Sequence, residues 1–267
     1  MTAVPGMGFD GWCGEIVTQA EAMASYLNGA DLRTPVPSCP GWTVGQLVRH
    51  VGAGHRWAEE TVRTRATSPL PDTDLRDVSG HTGGDPAVLG PWLAEGAVAL
   101  ARTLRAAGPR ATVWTPIPGR TDAGFYARRF AHETLVHRAD AALALGVPFT
   151  AGQEVVIDAL DEWMALDALP VMLELKPERR ELLGPGRTVH LHATDTAPEV
   201  GAEWLVDLTG DVGAWRRGHA TAAVAVRGPL TELLLTVYGR RPLADGTVGV
   251  HGDRGLLEFW LARVSFG

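Results

Sequence analysis

A glutamate and a histidine lie four residues apart in the stretch FAHETLVHRADA, at Glu133 and His137. Apolar periodicity predicts one helix over 122–145, and at about 100° per residue both side chains project from one face. That face also carries apolar residues, so we expect it to point into the protein; they are Tyr126, Phe130 and Ala144. A buried carboxylate needs a partner, and Glu and His both bind zinc and similar metals. The spacing indicates part of a metal site, although a simple side-chain pair between positions i and i+4 also fits.

The preceding residue, His132, makes this stretch resemble the start of the zinc-protease signature H-E-x-x-H. The second histidine of that signature comes one residue late here, at His137. His132 and His137 are five positions apart, which places them about 140° apart around a helix. They cannot share a face, so His132 is excluded as a ligand.

A third ligand must come from another helix, and the helix predicted over 44–65 offers His50 and His55. The apolar stripe of this helix is Leu47, Val51, Gly54 and Ala58. His50 borders the stripe, about 60° from its first residue, whereas His55 diverges from His50 by about 140°. Gly54 would leave room beside His50. His50, Glu133 and His137 would form a three-ligand site with an open position, as in catalytic zinc sites. Alternatively, His50 is a bundle histidine satisfied by a carbonyl group.

Four predicted helices must position these side chains. Capping residues, periodicity and Gly or Pro stops place them at 13–28, 44–65, 85–108 and 122–145. A proline-rich extended link, TPVPSCPGW, joins the first two helices, and residues 67–84 are predicted to form a loop. Helices of this length with modest connections favour a four-helix bundle.

The second half of the chain changes character. A fifth helix is predicted over 153–175, and shorter elements follow it: strands at 188–194, 203–209, 222–228 and 247–252, and helices at 229–238 and 255–263. The predicted fold class is therefore α+β, with a helical bundle over 1–150 and, over 151–267, a linker helix and a smaller α/β domain. His190 and His192 share one face of the first strand, but their partner for a metal site is missing, so a solvated or core face is the favoured interpretation.

Composition excludes several classes of function. The 267 residues are 45% hydrophobic, enough for a real core, and 24 Lys+Arg against 31 Asp+Glu give a net charge of −7, which argues against a nucleic-acid partner. No signal peptide and no apolar run of about 18 residues is found, so we predict a cytoplasmic protein without membrane attachment. The only cysteines, Cys13 and Cys39, cannot build a four-thiolate zinc site. An inert Cys39 is favoured over a reactive thiol.

Three segments resemble the mycothiol-dependent maleylpyruvate isomerase family. They are VPSCPGWTVGQLVRHVGAGHRWA at 36–58, FAHETLVHRADA at 130–141, and VRGPLTELLLTVYGR at 226–240 with VHGD at 250–253. The resemblance implies a DinB-like N-terminal bundle and a divalent metal, typically zinc, held at positions matching His50, Glu133 and His137. It also implies that Arg240, in the matching GR pair, takes part in substrate binding.

The chemistry implied is activation of a low-molecular-weight thiol, mycothiol, for addition to a small electrophile. Expulsion of the thiol after rotation gives cis–trans isomerisation, and retention gives S-transfer. We favour transfer or a related addition over maleylpyruvate isomerisation itself, because the pocket loops at 67–84 and 109–121 are not recognisable. The alternatives are a non-catalytic ligand-binding or regulatory protein of the same fold, and a biosynthetic enzyme that does not use the thiol. We expect a monomer or a small homo-oligomer.

Overall fold

The structure is a computed structural model, which describes residues 7–76, 78 and 84–264. It divides into two compact units, one over Met7–Thr150 and one containing Ala151 onwards. Residues 77 and 79–83 of the predicted loop at 67–84 lie outside the described part. None of the described helices is long and apolar enough to cross a membrane.

Four long helices build the first unit, with a short helix after the second of them. The elements are α1 (Phe9–Tyr26), α2 (Val44–Arg63), α3 (Thr73–Arg76), α4 (Pro86–Ala107) and α5 (Ala123–Leu145). Helix α1 packs against α4 and α5, and α2 packs against the same two helices. This arrangement is the predicted four-helix bundle.

The helix boundaries follow from the local sequence. Thr43 and Gln46 form the predicted capping box at the start of α2. Asp85 caps α4 with Pro86 in its first turn. Asp122 caps α5, and Gly146 ends that helix in the left-handed conformation. Capping therefore sets where α2 and α5 begin, and with it the position of each candidate ligand along its helix.

The second unit combines helices with a five-stranded sheet. Its helices are α6 (Gln153–Asp167), α7 (Met172–Leu175), α8 (Leu230–Val237) and α9 (Arg254–Val264), with 3₁₀ turns at 177–182, 198–200 and 243–245. Its strands are β1 (Thr188–Ala193), β2 (Glu203–Asp207), β3 (Ala214–Arg217), β4 (Val224–Gly228) and β5 (Gly249–Gly252). The sheet order is β3-β2-β1-β4-β5, with β1 and β4 parallel and the other neighbours antiparallel. The α+β prediction is confirmed.

Two predictions for this unit are wrong in detail. The single helix expected over 153–175 is interrupted after Asp167, because Pro170 cannot donate the backbone hydrogen bond that would continue it. Strand β3 was not predicted, since it has only four residues, AWRR, with two charged side chains and a glycine on either side. These residues form a strand because they pair with β2, and that pairing cannot be predicted from the local sequence.

Candidate metal centre

Packing of α2 against α5 brings His50 and His137 together. Their ring centroids are 5.3 Å apart, with the ring planes nearly perpendicular. Both histidines are partly buried. The two helices that carry them were predicted from separate stretches of sequence, so their meeting is a result of the bundle packing.

A backbone carbonyl holds the His50 ring. Its Nδ1 lies 2.8 Å from the carbonyl oxygen of Leu75, which belongs to α3 in the segment predicted as a loop. The Trp42 ring packs edge-on against the same imidazole, with 4.9 Å between centroids. Burial, followed by the charge of His137, lowers the pKa of His50. The ring is therefore neutral near pH 7, with its proton on Nδ1 and a lone pair on Nε2.

A buried carboxylate holds the His137 ring. Asp140 is fully buried, and its Oδ2 lies 2.9 Å from Nδ1 of His137. Ser38 donates to the other carboxylate oxygen at 2.6 Å, and the Cys39 thiol lies 3.6 Å from Oδ2. Burial lowers the pKa of His137, but its bonds to Asp140, Cys39 and Glu133 outweigh burial, and the net pKa is well above its ordinary value.

The proline-rich link supplies Ser38, Cys39 and Trp42 by folding into a tight turn. The amide of Val36 donates to the carbonyl of Trp42 at 2.9 Å, closing the turn. Gly41 adopts a φ of 86°, a left-handed conformation that a residue with a Cβ atom rarely takes. The link thus contacts both histidines, one directly through Trp42 and one through Asp140.

Glu133 lies between a guanidinium and an imidazole. Its Oε1 is 3.1 Å from Arg129, and its Oε2 is 3.4 Å from Nε2 of His137. Burial raises the pKa of the Glu133 carboxyl, but Arg129 and His137 lower it more, and the net pKa is below its ordinary value. The carboxylate is ionised and directs one oxygen toward the histidines.

The expected inward direction of this face of α5 is only partly right. The Glu133 side chain is 44% exposed and that of His137 is 13% exposed. The most buried side of α5 is rich in alanine, and α1 packs closely against the helix. The Glu–His stripe therefore borders solvent, which would give a small molecule access to it.

Two sets of side chains that share His137 could bind a metal ion in the bundle. Among the described residues of the bundle, the set whose ligand atoms lie within 4.8 Å of one another is Cys39, His137 and Asp140, and His50 and Glu133 are not part of it. In that set, however, Nδ1 of His137 is already hydrogen-bonded to the fully buried Asp140 carboxylate, so an ion would have to break that bond. His50, Glu133 and His137 each contact a different residue on the side away from the proposed ion, which we call the outer partner. Each histidine keeps its Nε2 for the ion, and Glu133 keeps one carboxylate oxygen.

The other histidines of the described part of the bundle, His55 and His132, lie elsewhere. His55 is fully buried, with Nε2 2.9 Å from the Thr134 hydroxyl, and burial lowers its pKa to about 3. His132 is also fully buried. The space beside Gly54 is bordered by Phe130 and Leu75 and does not lie open next to His50. Close approach at Gly54 allows Phe130 of α5 to lie against α2.

The sequence alone does not fix the role of Asp140, and three other contacts could not be predicted from it. The structure shows Asp140 buried against His137 rather than paired with Arg138. Arg138 instead donates to the Tyr26 hydroxyl and to the Thr150 carbonyl. The i, i+3 spacing from His137 was the available signal for Asp140. The contacts of Leu75, Ser38 and Cys39 have no local signal, because each crosses between distant segments.

Arg240 belongs to the second compact unit. It follows α8, and its guanidinium donates to the carbonyl of Tyr238 at 2.7 Å. Its side chain is partly exposed. The substrate-binding role implied for Arg240 stays a prediction.

Fold and site together define a two-domain protein with a DinB-like helical bundle and a C-terminal α/β domain. The family model described as the mycothiol maleylpyruvate isomerase N-terminal domain matches residues 13–142. The model described as the MDMPI C-terminal domain matches residues 147–259. The chain belongs to the mycothiol-dependent maleylpyruvate isomerase family, which is a family of enzymes.

Solved structures agree with this fold. The crystal structure of the mycothiol-dependent maleylpyruvate isomerase is 17% identical, with a TM-score of 0.59 over 94% of this chain and 95% of that chain. A mutant of that isomerase with one histidine replaced by alanine is 16% identical, with a TM-score of 0.60 over the same shares. No curated protein matches the chain significantly.

Proposed function

We propose that His50, Glu133 and His137 bind a divalent metal ion, most readily Zn²⁺, in an enzyme that uses a low-molecular-weight thiol. One observation carries the proposal: each of the three side chains is held by its own outer partner. Leu75 holds His50, Arg129 holds Glu133, and Asp140 holds His137. Outer partners of this kind fix the orientation of metal ligands and the tautomer of histidines.

The chemistry depends on a thiolate. A divalent ion held here would stabilise the thiolate form of a thiol such as mycothiol at neutral pH. Asp140 and the Leu75 carbonyl keep one ring proton of each histidine on Nδ1, so that Nε2 of His50 is unprotonated and Nε2 of His137 becomes a ligand once its imidazolium loses the second proton. Arg129 holds Oε1 of Glu133, which leaves Oε2 facing His137.

We propose cis–trans isomerisation of a small unsaturated acid as the reaction. The thiolate adds to an electrophilic carbon of the substrate, and the electron pair of the broken C=C π bond moves into the conjugated carbonyl group as an enolate. The adduct rotates about the resulting single bond, and the enolate then re-forms the double bond and expels the thiolate. The family and the solved structures support isomerisation over the transfer reaction favoured from sequence. Retention of the adduct would instead make the enzyme an S-transferase.

An assay that varies zinc and mycothiol independently tests this function. Full-length protein is prepared free of metal and loaded with Zn²⁺, and maleylpyruvate consumption is followed with and without mycothiol. We expect turnover only when both zinc and thiol are present, with unchanged thiol concentration at the end for isomerisation. Stoichiometric loss of free thiol would indicate transfer. Metal binding without any thiol-dependent turnover of this or other electrophiles would contradict the proposed activity.

Zinc affinity should rise with pH through the neutral range. In the metal-free protein His137 has a raised pKa, so its imidazolium must lose a proton before it can bind a metal. Below the pKa of His137, each further fall of one pH unit therefore lowers zinc affinity about tenfold. His50, with its lowered pKa, adds no competition near pH 7. Calorimetry in buffers of different ionisation enthalpy should show about one proton released per zinc bound; no release near neutral pH would contradict the assignment of His137.

Replacing Cys39 by serine should leave turnover largely intact. The thiol lies against Asp140, and a serine hydroxyl keeps a donor at that position. Since the proposed nucleophile is an external thiol, we expect a loss of less than about tenfold, the size of one ordinary hydrogen bond. Complete loss of turnover in a folded Cys39→Ser protein would contradict this prediction, and zinc content would then separate a nucleophilic Cys39 (metal kept) from a Cys39 metal ligand (metal lost).

Arg240 is proposed to bind the substrate carboxylate. A guanidinium and a carboxylate pair through two parallel hydrogen bonds, and bonds to charged groups contribute about 1.5–3 kcal/mol. We expect Arg240→Ala to lower kcat/KM by about 10- to 100-fold. The control is Arg241→Ala, since Arg241 pairs with Glu232 at 3.1 Å. An equal fall in kcat/KM in the two variants would contradict a specific role of Arg240 in substrate binding.

A further inference from the structure

Three histidines surround one carboxylate on the sheet of the second unit. Oε2 of Glu203 lies 2.8 Å from Nδ1 of His219, 2.9 Å from Nε2 of His190 and 3.4 Å from Nδ1 of His192. The proposed function in the bundle uses none of these side chains. We call His190, His192, Glu203 and His219 the sheet cluster.

Strand register brings the first three members together. His190 and His192 lie two residues apart on the central strand β1, and so on one face of the sheet. Glu203 is the register partner of His192 on β2, which places it on that same face. The sequence showed the two histidines but not the carboxylate that pairs with them.

A turn after β3 brings the fourth member. The amide of Gly218 donates to the Glu203 carbonyl at 2.9 Å, which extends the pairing of β2 and β3 by one residue. Gly218 has a φ of 119°, a conformation that favours glycine and redirects the chain. His219 therefore reaches the Glu203 carboxylate, while its side chain remains 76% exposed.

Hydrogen bonding alone does not account for the sheet cluster. The His190 side chain is 4% exposed, and its Nε2 is buried without a hydrogen bond of acceptable geometry, although a carboxylate oxygen lies within 2.9 Å. A buried polar atom left unsatisfied costs about 1–3 kcal/mol. A ligand that accepts the Nε2 lone pair would remove that cost.

We propose that the sheet cluster is a second divalent transition-metal site, with His190, Glu203 and His219 as ligands and His192 beside them. The ligand atoms of the first three lie within 4.8 Å of one another. Tetrahedral zinc with bonds of 2.0–2.1 Å needs ligand atoms about 3.4 Å apart, so small side-chain rotations suffice. Imidazole and carboxylate ligands suit Zn²⁺, Co²⁺ and Ni²⁺ better than Mg²⁺ or Ca²⁺.

Metal binding at the sheet cluster should stabilise the second unit, because the ligands lie on different elements. His219 follows β3, whereas His190 lies on the central strand β1. An ion bound to both ties the end of β3 to the centre of the sheet, so metal binding stabilises this unit by binding the folded form alone. Exposure of His219 also lets metal exchange with solvent.

The test uses the full chain with the bundle site removed. A His50→Ala/His137→Ala protein is freed of metal with a chelator, and Zn²⁺ is added while binding is followed by calorimetry. We expect about one equivalent of zinc to bind, together with a rise in Tm. Co²⁺ in place of Zn²⁺ should give the visible absorption of a tetrahedral site.

Three further substitutions locate that ion, each made in the same background. His219→Ala removes an exposed imidazole and leaves the buried part of the sheet intact. We expect it to weaken zinc binding by at least about tenfold, the low end of the loss caused by removing an outer partner of a ligand. Glu203→Gln should have a similar effect. The control is His251→Ala, which removes an exposed imidazole of β5 outside the sheet cluster and should change nothing.

Two results would overturn the proposal. One is failure of the His50→Ala/His137→Ala protein to bind zinc. The other is zinc binding there that His219→Ala and Glu203→Gln leave unchanged, which would place the ion elsewhere. Neither result bears on the bundle site or on thiol-dependent turnover, so the two proposals fail separately.

Discussion

Alanine at His50, Glu133 or His137 is expected to abolish metal retention in the bundle and leave the helices folded. Each substitution removes one of three ligands, and we expect an affinity loss above the 10- to 100-fold caused by losing an outer partner. None of the three is a fully buried core residue, and Glu133 is 44% exposed, so the bundle should tolerate each change. Thiol-dependent turnover should be lost with the metal.

Elemental analysis of purified proteins provides the measurement. It is made in a His219→Ala background, so that an ion at the sheet cluster does not mask the result. Far-UV circular dichroism checks the helices, and His251→Ala serves as the histidine control. Unchanged metal content in all three alanine variants would refute the ligand assignment. Loss in only one or two would show which residue belongs to a different ligand set.

Replacing Asp140 by asparagine is expected to weaken metal binding about 10- to 100-fold, although Asp140 is not a ligand. The carboxylate is fully buried and accepts from His137 and Ser38. Asparagine keeps its shape but exchanges one acceptor for a donor. An amide NH₂ group facing Nδ1 of His137 would favour the tautomer protonated on Nε2, whose Nε2 cannot bind a metal.

The matched control for this prediction is Ser38→Ala, which removes one hydrogen bond to Asp140 and leaves the charge. We expect a much smaller loss of affinity in that protein. Chelator competition at fixed pH gives the affinities, and urea unfolding separates them from changes in stability. Equal zinc affinity in the Asp140→Asn and unmodified proteins would show that Asp140 does not orient His137. It would also argue against Cys39, His137 and Asp140 as the ligand set, since that set contains the replaced carboxylate.

Local sequence features determined the starts of α2, α4 and α5 and the spacing of Glu133 and His137, whereas α1 begins at Phe9 rather than at the predicted residue 13. Capping at Thr43 and Asp122 and a stop at Gly146 depend on residues a few positions apart, so they can be read without knowing the fold. The face of a helix on which a side chain lies follows from its 3.6-residue period. That period was enough to separate His50 from His55 and His137 from His132.

Contacts across the chain could not be predicted in this way. Ser38 and Asp140 are 102 positions apart, and His50 and Leu75 are 25 apart. The short strand β3, the direction of the Glu133 stripe toward solvent and the position of Glu203 beside two histidines also depend on packing. The hydrogen bonds that orient a metal-ligating side chain come from segments that are distant in sequence. The periodicity of one segment does not show which other segment packs against it. The sequence by itself therefore determined which residue types share a helix face or a strand face, and the tertiary structure decided which of them meet.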